Sequence, residues 1–254
     1  MPDALTDAAT NVARGTLIGI GIGPGDPELI TVKALRYLQS APVVAFPAGI
    51  KGRLGVAQRA IAKWLSPAQT QLPLTFPYVR DTATLAEAWH AAAATVWPYL
   101  ATGQDVVFAC EGDISFYATF TYLAQALQHR YPQARVEAIP GVCSPLAAAA
   151  VLGIPLTIQG QRLAIVPALY AVTDLETVLT WADVLVLIKV SSVYADVWSV
   201  LQRLDLLSYS YVVEHATRED QVIYADLSQR PDLELSYFSL LIVQRQPVAD
   251  GISQ

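Results

Sequence analysis

An α/β fold is what this sequence predicts, and three observations predict it. Short apolar runs at 43–46, 106–109 and 184–188 have the length and unbroken hydrophobicity of buried parallel strands. Two strand-like stretches, the Ile/Gly alternation at 17–23 and the run at 106–109, empty into glycine-bearing turns and then into helical periodicity. The chain of 254 residues, 54% hydrophobic and 15% charged, has material for one long or two modest domains.

The opening strand shows most. Ile18, Ile20 and Ile22 alternate with Gly19, Gly21 and Gly23, giving one apolar face and one bare face, open to a ligand or another backbone. In the turn that follows, Pro24-Gly25-Asp26-Pro27, Asp26 reads as an N-cap and Pro27 as the first helical residue, with Glu28 suited to the positive dipole end. Ile30, Ala34 and Leu38, with Leu35 beside them, continue at helical spacing. A dinucleotide fingerprint is excluded. Counted from Gly19 or Gly21, its last glycine falls on Pro24 or Asp26, and a carboxylate with N–H-less prolines is a poor neighbour for pyrophosphate. Two readings stay open, a ligand loop at a strand end or tight strand-to-helix packing.

The strand at 43–46 leads into a glycine-rich loop, 47–55, that carries Lys51 and Arg53. It is either a solvated loop or a flap offering two cations to an anionic substrate. A helix is expected at 56–65 and an edge strand at 72–76, where Pro73 forbids a central place. Asp81 caps an Ala-rich helix running to about Leu100, and Gly103 ends it. The strand at 106–109 delivers Glu111-Gly112-Asp113 to its carboxyl end, where open α/β sheets bind ligands; a helix is expected from near Ser115, with Asp113 as its alternative role of N-cap. Phe116, Tyr117, Phe120 and Tyr122 read as helix packing.

The domain boundary is expected within 131–135, separating 15–133 from 134–247, with tails at 1–14 and 248–254. Beyond it, a strand at 136–139 and the turn Pro140-Gly141-Val142-Cys143-Ser144 repeat the strand–turn–helix logic, with a helix at 147–152 ended by Gly153. Strands at 163–166, 184–188 and 211–214 alternate with helices at 174–181 and 194–206. The segments at 221–225 and 237–244 follow with little helix between them, so antiparallel pairs are expected in this half.

A net charge of −6 argues against nucleic acid as a partner, and no apolar run reaches the roughly 20 residues that span a bilayer. Residues 1–14 are polar and acidic with no apolar h-region, so they read as a tail and not a signal peptide. Cys110, Cys143 and the three histidines have neither zinc spacing nor a disulfide framework, which makes reduced cytoplasmic thiols and no bound metal the expectation. The apolar excess suggests a further buried surface, such as a homodimer contact.

Four segments together, GIGPGDPELITVKA at 21–34, CEGDISFY at 110–117, IPGVCS at 139–144 and VLIKV at 186–190, resemble the tetrapyrrole (corrin/porphyrin) methyltransferases. The likeness keeps the family's motif order from about Gly15 to Val243. The segments FPAGIKGRLG, FYATFTYL and VVEHATRED are most similar to the precorrin-2 C(20)-methyltransferase branch, which includes the cobalt-factor II enzymes. The resemblance implies a two-domain α/β fold with S-adenosylmethionine in the cleft between the domains, a homodimer, and methyl transfer to C(20) of precorrin-2 in cobalamin synthesis. Alternatives are the same methylation on cobalt-factor II, uroporphyrinogen-III methylation, or a non-catalytic small-molecule binding module.

By the same resemblance Glu111, Gly112, Asp113 and Phe116 would hold the cofactor, Cys143 and Ser144 would lie beside its amino-acid end, and Ile188 or Lys189 with Ser239 would meet the adenosine. Gly21, Gly23, Pro24, Gly25, Asp26 and Pro27 would border the tetrapyrrole, with Lys51 and Arg53, and also Arg80 and Arg218, as cations for its carboxylates. Ile114 departs from the proline usual in the family at that place. No residue is assigned as catalytic; Glu111, Asp113, Tyr117 and His215 are unranked as a base. Substrate is the expected neighbour of the glycine face, so Gly23→Val is expected to fold normally and lose methyl transfer.

Overall fold

The computed structural model of the chain describes residues 14–49, 54–77, 79, 81–168 and 172–245. The chain divides into two units, one of Met1–Gly23 with Pro27–Gly141, the other of Pro24–Asp26 with Val142–Gln254.

The first unit runs β1 (Thr16–Gly21), α1 (Val32–Ser40), β2 (Val43–Pro47), α2 (Val56–Ile61), β3 (Thr70–Leu74), α3 (Thr82–Ala101), β4 (Val106–Cys110), α4 (Thr119–Arg130) and β5 (Arg135–Ile139). Its five-stranded sheet is ordered β3-β2-β4-β1-β5 and every pairing in it is parallel. Buried on both faces, β4 has no alternation in VVFAC, and all of its residues are buried. Ile18, Ile20, Val44 and Val107 pack on one face against Ala34 and Leu38 of α1 and Ala57 and Ile61 of α2. Leu17, Val43, Val106 and Phe108 pack on the other against Ala93 and Val96 of α3 and Leu123 and Leu127 of α4. Pro73 sits on the edge strand β3, as a residue without an N–H must.

In this strand order β1 and β4 are neighbours whose onward connections leave in opposite directions, β1 toward β2 and β4 toward β5. Their helices cover opposite faces, so the carboxyl ends of β1 and β4 form the switch point of an open sheet. The glycine turn and the Glu111-Gly112-Asp113 turn both lie there.

Three expectations are corrected here. The boundary expected after residue 133 falls after Gly141, because β5 completes the first sheet by pairing with β1 from Thr16↔Arg135 to Ile20↔Ile139. Asp26 does not cap α1. Pro27–Leu29 forms a single 3-10 turn, and Thr31 is the cap, its Oγ1 accepting the Ala34 N–H at 3.2 Å. The helix expected from Ser115 begins at Thr119, since Asp113 closes a local turn onto Ser115 and is also bonded elsewhere.

The second unit runs α5 (Ser144–Leu152), β6 (Leu163–Pro167), α6 (Leu175–Trp181), β7 (Val184–Ile188), α7 (Tyr194–Arg203), β8 (Ser210–Glu214), β9 (Val222–Ala225) and β10 (Ser239–Gln244). Its sheet is ordered β6-β7-β10-β8-β9, with β6 parallel to β7 and the antiparallel pairs expected of this half at β10·β7, β10·β8 and β8·β9. Val184, Val186 and Ile242 face α5, while Leu185, Leu187 and Val243 share the other core with α6 and α7. Burial pushes the phenol of Tyr194 up to about 12, so it stays protonated and donates to the Arg230 carbonyl at 2.7 Å.

Candidate functional site

Three of the four segments that carry the family resemblance converge in the first unit. The turn after β1 is joined to the turn after β4 by a two-bond bridge: the Gly23 N–H donates to Gly112 O at 3.2 Å and the Gly112 N–H to Gly23 O at 2.7 Å. Both glycines are in the left-handed region, φ 82° and 69°, where a Cβ is strained. The turn after β5 joins them through Asp113, whose Oδ2 accepts the Gly141 N–H at 2.8 Å. Gly21 lies against both neighbours, and a Cβ there would stand 2.6 Å from Gly112 O and 2.7 Å from Gly141 N.

The bare face of β1 is therefore filled from within. A Cβ on Gly19 would meet the Phe120 ring at 2.6–2.7 Å, and Gly21 is closed by backbone. The expectation that substrate occupies this face is corrected at these two positions. Gly23→Val would also strain a left-handed residue and press on Leu29, so the expected normal folding of that variant is withdrawn.

Partial burial opposes the charge of Asp113. The Ser115 hydroxyl and the N–H groups of Gly141 and Ser115 outweigh it, holding the carboxyl below the usual carboxylate range. A carboxylate so engaged is a brace, weak as a proton acceptor. Glu111 follows β4 directly, half-buried, and Phe116 stands edge-on to Tyr117 with centroids 4.8 Å apart. Ile114 is buried in the core against α3 and α4, which is what this sequence uses where proline is usual.

In the second unit, Cys143 is the N-cap of α5 and Ser144 its first residue, with no side-chain cap bond; Pro145 follows without an N–H, and the Ala147 N–H donates to Cys143 O at 3.2 Å. Ile188 ends β7 and Lys189 turns left-handed at φ 58°, its N–H donating to Ser239 O at 2.9 Å. The structure thus brings Ile188, Lys189 and Ser239 together. The hydroxyls of Ser236 and Ser239 are buried without a hydrogen-bond partner, and Lys189 Nζ lies 5.3 Å from the Tyr237 ring centroid. Orphaned hydroxyls beside aromatic surface suit a ligand with flat faces and a polar edge, as a nucleoside has.

The same unit holds Pro24–Asp26. The Asp26 N–H donates to Thr217 Oγ1 at 3.1 Å, and Gly25 faces the Arg218 stem. His215 Nδ1 pairs with Asp220 Oδ2 at 2.9 Å, which makes it a structural partner in this loop. Lys51, Arg53 and Arg80 lie outside the described residues. The sequence reading missed Thr217, Gln221, Asp220 and Phe238. Thr217 and His215 are left-handed residues that are neither glycine nor asparagine, and no local signal marks them.

Two α/β units, the first with a switch point sealed by glycine backbone in place of a phosphate cradle, define the class of protein. The chain belongs to the tetrapyrrole (corrin/porphyrin) methylases, whose family model matches residues 16–230. It is 32% identical over 242 residues to a precorrin-2 C(20)-methyltransferase of Sinorhizobium sp, covering 92% of this chain and 97% of that one. It is 31% identical over 234 residues to a cobalt-precorrin-2 C(20)-methyltransferase of Salmonella typhimurium, covering 92% and 98%. The crystal structure of a cobalt precorrin-4 methyltransferase matches the fold with a TM-score of 0.68 at 25% identity, over 90% of this chain and 94% of that one.

Proposed function

We propose that this chain transfers a methyl group from S-adenosylmethionine to C(20) of precorrin-2 in cobalamin biosynthesis. The observation that carries the reading is its similarity, along 92% of its length, to a methyltransferase of that position. S-adenosylmethionine supplies an electrophilic methyl on a sulfonium and brings no phosphate, which agrees with a turn lacking a phosphate cradle. The chain's part is to bind, orient and keep water from the reacting carbon, which orientation and desolvation reward without a nucleophilic side chain.

In the first unit Glu111, Gly112, Asp113 and Phe116 are the proposed donor residues. In the second they are Cys143, Ser144, Ile188, Lys189 and Ser239, supported by the orphaned Ser239 hydroxyl. Residues 23–27 are proposed to border the tetrapyrrole, and Lys51 and Arg53 to meet its carboxylates. The protein acts as a homodimer in the cytoplasm, a reading supported by a composition 54% hydrophobic and 15% charged, which suits a further buried surface.

Incubation with S-adenosylmethionine and precorrin-2 should give a product heavier by one methyl, with the label at C(20). A folded protein that binds the donor and yields no methylated product would be a binding module instead. The Salmonella relative favours a second reading, the cobalt chelate as acceptor; offering both acceptors in parallel decides between them.

A further inference from the structure

Gly25 has no positive φ that would require glycine, yet a Cβ on it would run into the Cγ of Arg218. The Arg218 side chain is itself fixed. Its Nε meets Asp220 Oδ1 at 3.2 Å, its guanidinium lies 5.6 Å from the Phe238 ring centroid, and it is 21% exposed. Asp220 also holds His215, whose N–H is bound to Phe238 O at 2.9 Å. Beside Arg218, Thr217 is kept at φ 68° by its N–H donating to Gln221 Oε1 at 2.7 Å, which aims its Oγ1 at the Asp26 N–H. The residues from His215 to Gln221 thus form a braced loop that grips Pro24–Asp26 by one hydrogen bond and one van der Waals face.

We propose that Thr217 and Arg218 are positioning residues for the tetrapyrrole: they set the conformation of Pro24–Asp26, and substrate affinity depends on them without their touching the substrate. The glycine at 25 then serves the Arg218 stem, where the sequence suggested room for a ligand. This inference rests on the reading of residues 23–27 as the substrate border.

The test separates the grip from that reading. Thr217→Val keeps the shape and removes the acceptor, so the Asp26 amide should exchange with solvent about tenfold faster while Thr217→Ser stays near wild type. The KM for precorrin-2 should rise about tenfold in Thr217→Val, with S-adenosylhomocysteine affinity within about twofold by calorimetry. Gly25→Ala should raise KM similarly; Arg218→Ala should raise it too, and in that background Gly25→Ala should add little, although Ala216 O at 3.1 Å still crowds the new methyl. Unchanged Asp26 exchange, or KM effects of Gly25→Ala and Arg218→Ala that simply multiply, overturn the grip. Faster exchange with an unchanged KM, or with lost donor affinity instead, leaves the grip standing and overturns its role for the tetrapyrrole. Should Thr217→Val not fold, the Gly25 and Arg218 variants decide alone.

Discussion

Gly21 and Asp113 do the same job with opposite means, one by having no side chain and the other by filling every acceptor it has. A methyl on Gly21 meets only backbone, at Gly112 and Gly141, and backbone in a sheet cannot step aside cheaply. Gly21→Ala should therefore lower stability by roughly 1–3 kcal/mol in urea denaturation, the usual range for overpacking. Asp113→Asn puts an amide where Gly141 donates its N–H, and should lose about 1–2 kcal/mol, allowing for solvent screening at this half-buried site. The pH dependence has a definite sign. A carboxyl whose folded pKa is lowered stabilises fully above its unfolded value of about 3.9 and loses that contribution as pH falls through the lower folded value. The stability gap between wild type and Asp113→Asn should be full at neutral pH and close on strong acidification; a gap independent of pH would contradict the assignment.

Among the elements, α1 shows how a tertiary contact moves a helix start. Asp26-Pro27-Glu28 has the chemistry of a helix N-terminus, and Pro27 does open a 3-10 turn. The Asp26 backbone is engaged by Thr217, and the α-helix waits for Thr31, whose hydroxyl also reaches Pro140 O at 3.4 Å. Thr31→Ala should cost about 1 kcal/mol and speed exchange at the Ala34 amide. Asp81 caps α3 as its sequence suggests, with Oδ2 accepting the Thr84 hydroxyl at 2.6 Å and its N–H at 2.7 Å. The hydroxyl and then the N–H of Thr84 lower its pKa, so the harm done by Asp81→Ala to the melting temperature should vanish at low pH, by the same sign as for Asp113.

At the scale of the whole molecule, a chain of net charge −6 is proposed to take a substrate rich in carboxylates, so local cations must oppose the global field. Lys51 and Arg53 are the proposed cations. Lys51→Ala/Arg53→Ala should raise the tetrapyrrole KM and leave S-adenosylhomocysteine affinity alone. The wild-type KM should climb with salt, since exposed charges are screened over about 8–10 Å near physiological ionic strength. A double variant equal to wild type at low salt would return this stretch to an ordinary solvated loop. The proposed homodimer is checked by sedimentation, where a single species of 27.4 kDa would rule it out.

Sequence alone determined the α/β class, the strands at 43–46 and 184–188, the Asp81 cap and the family, because each is written in local chemistry: hydrophobic period, capping residue, glycine and proline at fixed offsets. It also placed Gly21, Gly112 and Asp113 at strand ends. Only the tertiary structure decided what those residues face. β5 belongs to the first sheet because its partner is β1, more than a hundred residues earlier in order, and no local pattern encodes a partner. The bare glycine face meets Phe120 and two other glycine turns, since a missing side chain signals close approach without saying by what. Thr217 and Arg218 stand in the VVEHATRED segment of the family likeness, but no local pattern gives their conformations; the left-handed and braced states exist only where Gln221, Asp220 and Phe238 converge to hold them.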